Sequence, residues 1–239
     1  MGTGKLAQRK LLHQQNRYQS NLLAWKEYQK EHPETPFIEG QRDMQRLAYG
    51  GGFFAPLDRW ILGRNKAEQL ERKRDISASK NACEVIALYN GLVALHQNIG
   101  ISFPELLMQF EKKGILFGGL FGTSMKAVFH WLLRLPGLET CYFNARQLKQ
   151  YIHDLYQLPQ EETKEFAVFL VSFWNRKGKP WKGIHTICVT KDSNETGHGY
   201  VLHNLYENNR IILCDTLEQA LLHTNGESSP VCAIGMNRR

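Results

Sequence analysis

The chain has 239 residues, of which 42% are hydrophobic, 11% aromatic and 22% charged, a balance that excludes a disordered chain and supplies the core of one large domain, or of one domain with an extension. The formal net charge of +7 is uneven: residues 1–75 hold 14 Lys and Arg against 9 Asp and Glu, and residues 76–239 hold 16 against 14. No apolar run approaches the ~18 residues of a membrane span, which excludes a transmembrane helix.

Residues 3–32 read as one long helix with an irregular apolar stripe of Leu11, Leu12, Tyr18, Leu22, Leu23, Trp25 and Tyr28. The prolines of HPETPF end it. A shorter helical piece follows at 41–48, a glycine loop at 50–56, and a further helix at 58–74 that closes on the charge run ERKRD. From about Ile76 the character changes. A strongly apolar helix is expected at 81–97, and another at 103–113 with Ser102 as cap and Pro104 in its first turn. Gly118, Gly119 and Gly122 mark a loop, after which Thr123 or Ser124 caps a helix reaching about Leu135. Beyond Pro136 strands dominate: 138–143, then 166–174 and 183–190, then a hairpin of 200–206 with 210–214, and last 231–234. Helices are expected at 145–156 and 216–223. Helices first and an antiparallel sheet after them make an α+β fold.

Five cysteines stand at 83, 141, 188, 214 and 232 with no C-x-x-C pair, so neither a disulfide framework nor a zinc ribbon is expected. The N-terminus has no signal-peptide core, and a reducing, cytoplasmic setting fits. His185, His198 and His203 have no metal-ligand spacing, so no metal and no cofactor are expected. Basic and acidic residues alternate through residues 1–75, which favours a solvated helical surface over a nucleic-acid site.

Three pieces carry chemistry. NACEVIALYNGL puts Cys83 at the start of a helix, where unsatisfied N–H groups and the helix dipole favour a thiolate. Asn81 would cap that helix. GIHTICV holds His185 on a strand, and GYVLHNLY holds Asn204 on the next. Alternation sets His185 with Ile187 and Val189, and Asn204 with Leu202 and Tyr206, on otherwise apolar faces. The Asn204 side-chain oxygen would orient the imidazole, His185 would take the thiol proton, and the Cys83 N–H would receive an oxyanion. His203 is a rival histidine, and Asp215 a rival third member.

This order of Cys83, His185 and Asn204 resembles the papain-like cysteine peptidases, in particular the compact bacterial branch that includes bacteriocin-leader peptidases. The resemblance covers about 76–215. It implies a papain-like α+β domain at 76–239 behind a basic helical extension at 1–75, and hydrolysis or acyl transfer at an amide of a peptide or protein substrate. Relatives of this pattern usually carry glutamine six residues before the cysteine, where this chain has Ser77, and often glycine after it, where this chain has Glu84. Ser77 and Asn81 are the candidates for the missing oxyanion donor. Ser77 and Glu84 also support an alternative: a papain-like binding module without catalysis. A third reading is a basic adaptor that contacts nucleic acid or an acidic partner through residues 1–75.

Overall fold

The computed structural model describes residues 3–50, 76–96, 100–116, 122–159, 164–174, 183–192, 199–205, 212–222 and 230–239. The helix expected at 58–74, most of the glycine loop before it, His198 and the hairpin turn at 207–209 lie outside these residues.

The described residues form an α+β structure on one six-stranded antiparallel sheet. Its strands are β1 (Leu138–Asn144), β2 (Val168–Trp174), β3 (Ile184–Lys191), β4 (Tyr200–His203), β5 (Ile212–Cys214) and β6 (Pro230–Arg238). They lie in the order β1-β6-β2-β3-β4-β5. The last strand is longer than the sequence pattern suggests, because its second half pairs with β1 on one side and β2 on the other. Gly235 and Asn237 hide that pairing from a β-propensity reading.

The helices are α1 (Thr3–Glu31), α2 (Ala78–Asn81), α3 (Cys83–Ala94), α4 (Phe103–Lys113), α5 (Met125–Leu132), α6 (Ala145–Gln157) and α7 (Leu217–Leu222), with a 3-10 segment at Gln41–Arg46. Strand alternation divides them. Val168, Leu170, Cys188, Ile234 and Met236 face a core shared with α1 to α5. Phe169, Val171, Phe173, Ile187, Val189 and Leu202 face a second core shared with α6 and α7. Helix α3 lies on β3 and β2. Its closeness needs Gly91, where an added Cβ would stand 2.5 Å from the Met236 Cε and 3.1 Å from the Leu170 Cδ2.

The apolar helix expected at 81–97 is α3, Cys83–Ala94, and the separate turn of α2, Ala78–Asn81, precedes it. Ala82 (φ −102°, ψ 17°) breaks the run and is the N-cap of α3, without a side-chain cap bond. Asn81 therefore ends α2 and does not cap α3. Helix α1 buries Arg17, Asn21, Trp25 and Tyr28, a stripe at helical spacing, while Leu11, Leu12 and Leu23 face outward. Polar partners decide this: Arg17 donates to Glu111 of α4 at 2.5 Å, and Asn21 exchanges two 2.8 Å bonds with the backbone of Ala48. Trp25, Ile38, Met44, Leu47 and Tyr49 enter the first core. An antiparallel bridge of Ala48 with Ser77 joins this N-terminal stretch to the chain before α2. Further along α3, the Asn90 side chain bonds both the N–H and the carbonyl of Ile38, at 2.8 and 2.9 Å.

Candidate active site

Two of the sequence-derived residues, Cys83 and Asn204, reach the same residue of β3, and Asn204 in turn holds the third, His185. The β3–β4 ladder ends at the pair Cys188–His203. Two residues back, Thr186 turns its N–H and C=O to the same side, as an antiparallel residue must, and β4 is no longer there to pair with them. Side chains fill the place. The Thr186 N–H donates to the Cys83 sulfur. The Thr186 carbonyl accepts from the Asn204 Nδ2 at 3.3 Å. The backbone carbonyl of Asn204 accepts from the His185 Nε2 at 2.6 Å.

Asn204 reaches this position because it lies beyond β4, at φ +65°, a left-handed conformation that asparagine tolerates better than most residues. Strand alternation therefore does not govern it. Its backbone oxygen, not its side-chain oxygen, holds the imidazole, and its buried Oδ1 has no hydrogen-bond partner among the described residues. A carbonyl oxygen only accepts, so Nε2 carries the proton and Nδ1 is the bare nitrogen of the neutral ring. His185 leaves β3 on the face of the second core, edge-on to Phe173 at 5.7 Å, whereas Cys83 comes from α3 on the other face and meets the strand at its backbone.

Cys83 is 4% exposed and His185 fully buried. Burial pushes the Cys83 thiol well up, and the charge of Glu84 adds to this, while the Thr186 N–H pulls it down. Burial lowers the His185 imidazole from 6.5 to about 4, against the opposing effect of the Asn204 carbonyl. At neutral pH the resting pair is therefore a thiol and a neutral imidazole.

Glu84 points inward. It is 4% exposed, and its Oε2 accepts from the Thr123 N–H at 3.2 Å. The Cys83 thiol donates to the same carboxylate, and so does the Glu84 backbone N–H in the first turn of α3. Burial raises its pKa from 4.5 to about 7 against those three bonds. Gly122 lies against the carboxylate: a Cβ there would stand 2.8 and 2.9 Å from its two oxygens, and φ is +68°. Ser124 takes the N-cap position of α5 without a side-chain cap bond. The Thr123 hydroxyl is paired with the Tyr49 hydroxyl.

The two expected oxyanion donors are engaged elsewhere. The Asn81 Nδ2 donates to the Tyr49 carbonyl at 2.8 Å. Ser77 caps α2, accepting from the Ser79 N–H at 3.3 Å and donating to the Gln45 carbonyl at 3.1 Å. The rival His203 belongs to a separate buried relay: its Nε2 meets the Thr190 hydroxyl at 3.0 Å, its Nδ1 meets Glu39 at 2.9 Å, and Phe37 stacks on its ring. Asp215 follows β5, where its N–H bonds Gln219. Sequence reasoning overlooked Thr186, and its one signal there is position: it is the polar residue next to His185 on the opposite alternation face. Glu39 and Thr123 left no signal, since each meets its partner only through the fold.

Among the described residues, no group of three or more His, Cys, Asp or Glu side chains gathers to hold a metal ion. No described helix is long and apolar enough to cross a membrane. Comparison with family models, with curated proteins and with solved structures finds no match.

Proposed function

We propose that this chain carries a thiol-dependent acyl-transfer site of the papain-like kind, acting on an amide of a peptide or protein. The observation that supports it is the chain of contacts from Cys83 through the backbone of Thr186 to Asn204 and His185. In this reading Cys83 attacks a carbonyl carbon. Its proton passes to Nδ1 of His185, the nitrogen that carries no proton when Nε2 donates to the Asn204 carbonyl. The Cys83 N–H, first in α3, receives the developing oxyanion. The imidazolium then returns the proton to the leaving amine, and water releases the acyl group from sulfur by the reverse steps.

The test is the reactivity of Cys83 toward a mixture of peptidyl vinyl sulfones, followed at that residue by mass spectrometry. His185→Ala is expected to slow modification at pH 7.5 at least tenfold while iodoacetamide labelling of Cys232 stays unchanged. A rate equal to that of a free thiol, indifferent to His185, would remove the peptidase reading.

One observation favours a second reading, a papain-like binding module without catalysis: the inward Glu84 carboxylate, which opposes a thiolate. That reading expects no covalent adduct in either protein.

A further inference from the structure

Glu84 is the buried ionisable group that the acyl-transfer steps above leave without a task. Its surroundings are built and not incidental. The carboxylate lies in the first turn of α3, directly after the sulfur-bearing residue, and takes a hydrogen bond from the Cys83 thiol. It also takes the Thr123 N–H at 3.2 Å. The backbone at Gly122 comes so close that a methyl group there would overlap both oxygens. One carboxylate therefore links the nucleophile to the turn that leads into α5.

Among the described residues, no positive charge contributes to its shift. The titratable groups that feel its field are Cys83 beside it, the Tyr49 phenol from the segment after the 3-10 turn, and the Cys232 thiol from β6. All three are neutral or negative, never cationic. From the described residues just before α5 it meets the backbone N–H of Thr123 and the backbone of Gly122.

We propose that Glu84 is the positioning residue that sets when Cys83 can react: ionised, it holds the thiol proton in a hydrogen bond and pins the sulfur to the Gly122–Thr123 turn, and neutral, it lets that proton leave. With Glu84 ionised, removing the proton places two negative charges in one buried contact. With Glu84 protonated, the sulfur meets a neutral acid that can turn its own O–H toward a thiolate. The thiol proton then moves to Nδ1 of His185, leaving a thiolate and an imidazolium, with no atom gained or lost. This rests on reading Cys83 as a nucleophile, but it makes a separate claim about coupling.

The experiment uses the full chain, iodoacetamide as the probe, and mass spectrometry to follow Cys83 apart from the other cysteines. Glu84→Gln keeps an acceptor for Thr123 and removes the charge. It is expected to lower the midpoint of the Cys83 pH–rate profile by about one unit. Thiolate then rises about tenfold at pH 7.5, and its weaker intrinsic nucleophilicity leaves a gain in rate of about three- to fourfold. A folded Glu84→Gln protein with the wild-type midpoint would overturn the proposal. The reciprocal arm does not depend on that variant folding. In Cys83→Ala the carboxylate loses its thiol donor, and the Glu84 titration, read by carbon NMR of labelled carboxyl groups, is expected to move upward. A Glu84 titration unmoved in Cys83→Ala would overturn the coupling as well. If Glu84→Gln moves the midpoint while His185→Ala changes nothing, the coupling stands and the His-assisted reading of Cys83 falls.

Discussion

Asn204 does two jobs with different atoms. Its backbone carbonyl holds the His185 Nε2, and its side-chain amide closes the Thr186 carbonyl. These separate under mutation. Asn204→Ala removes the amide, leaves the Thr186 carbonyl unpaired in the interior, and puts a Cβ without hydrogen bonds at φ +65°. The expected loss of stability is about 2–3 kcal/mol, measured by urea unfolding. Asn204→Gly removes the same amide but not the backbone freedom, so it should lose about 1 kcal/mol less. In both variants the imidazole keeps its carbonyl, so Cys83 labelling should fall far less than in His185→Ala. A side-chain oxygen holding the ring would instead make Asn204→Ala and His185→Ala alike. Cys83, His185 and Asn204 were legible as chemistry-bearing types in order along the chain. Which atom of Asn204 faces the ring was not, because one residue past the end of β4 the alternation rule no longer applies.

At the scale of elements, local signals and packing divide the outcome. Asn144 and Gln147 begin α6 through reciprocal capping bonds, and at the start of α4 the Glu105 carboxylate accepts from both the N–H and the hydroxyl of Ser102; both use the three-residue spacing that the sequence spells out. The break at Ala82 is different: nothing in SKNACEV forbids a continuous helix. It arises because α2 is held to the N-terminal stretch, with the Ala78 N–H on the Leu47 carbonyl and Asn81 on Tyr49. The break makes Cys83 the first residue of α3, one position nearer the helix terminus than a cap at Asn81 would have put it. Helix α3 then presses on the sheet through Gly91. Gly91→Ala gains about 1 kcal/mol in helix propensity but overpacks against Met236 and Leu170, at about 1–3 kcal/mol. A net loss of up to about 2 kcal/mol is expected by urea unfolding, and less of it when Met236 is also shortened to Ala. If Gly91→Ala is stabilising, α3 is not as close to the sheet as described.

For the whole molecule, two buried titrations oppose each other. Glu84 keeps its proton more tightly in the fold, from 4.5 to about 7, so its contribution is present below pH 4.5 and lost as pH climbs through 7. His185 is lowered from 6.5 to about 4, so its contribution is present above pH 6.5 and lost as pH falls through 4. Each is worth roughly 3 kcal/mol, and between pH 4.5 and 6.5 they nearly cancel. Urea midpoints at pH 5, 6 and 8 should therefore change little from 5 to 6 in the wild type and fall by 8. In Glu84→Gln they should rise from 5 to 6 and hold at 8. The N-terminal stretch also belongs to this scale. Removing residues 1–50 takes Trp25, Ile38, Met44, Leu47 and Tyr49 out of the first core and strips Asn81, Asn90 and Glu111 of partners. No soluble, folded protein is expected, as judged by circular dichroism after expression.

The sequence by itself determined what periodicity and composition control: helices before strands, an antiparallel sheet with His185 and Thr186 on opposite faces, and a cysteine near a helix start. Those properties reside in nearest neighbours and repeat lengths, which a linear reading contains. Only the tertiary structure decided that Arg17 and Asn21 displace leucines from the buried face of α1, that Asn81 bonds Tyr49 and Ser77 bonds Gln45, and that Glu84 turns toward the sulfur. Each of these depends on a partner far along the chain, Glu111, Ala48, Tyr49, Gln45 or Thr123, and buried polar groups go where such partners are.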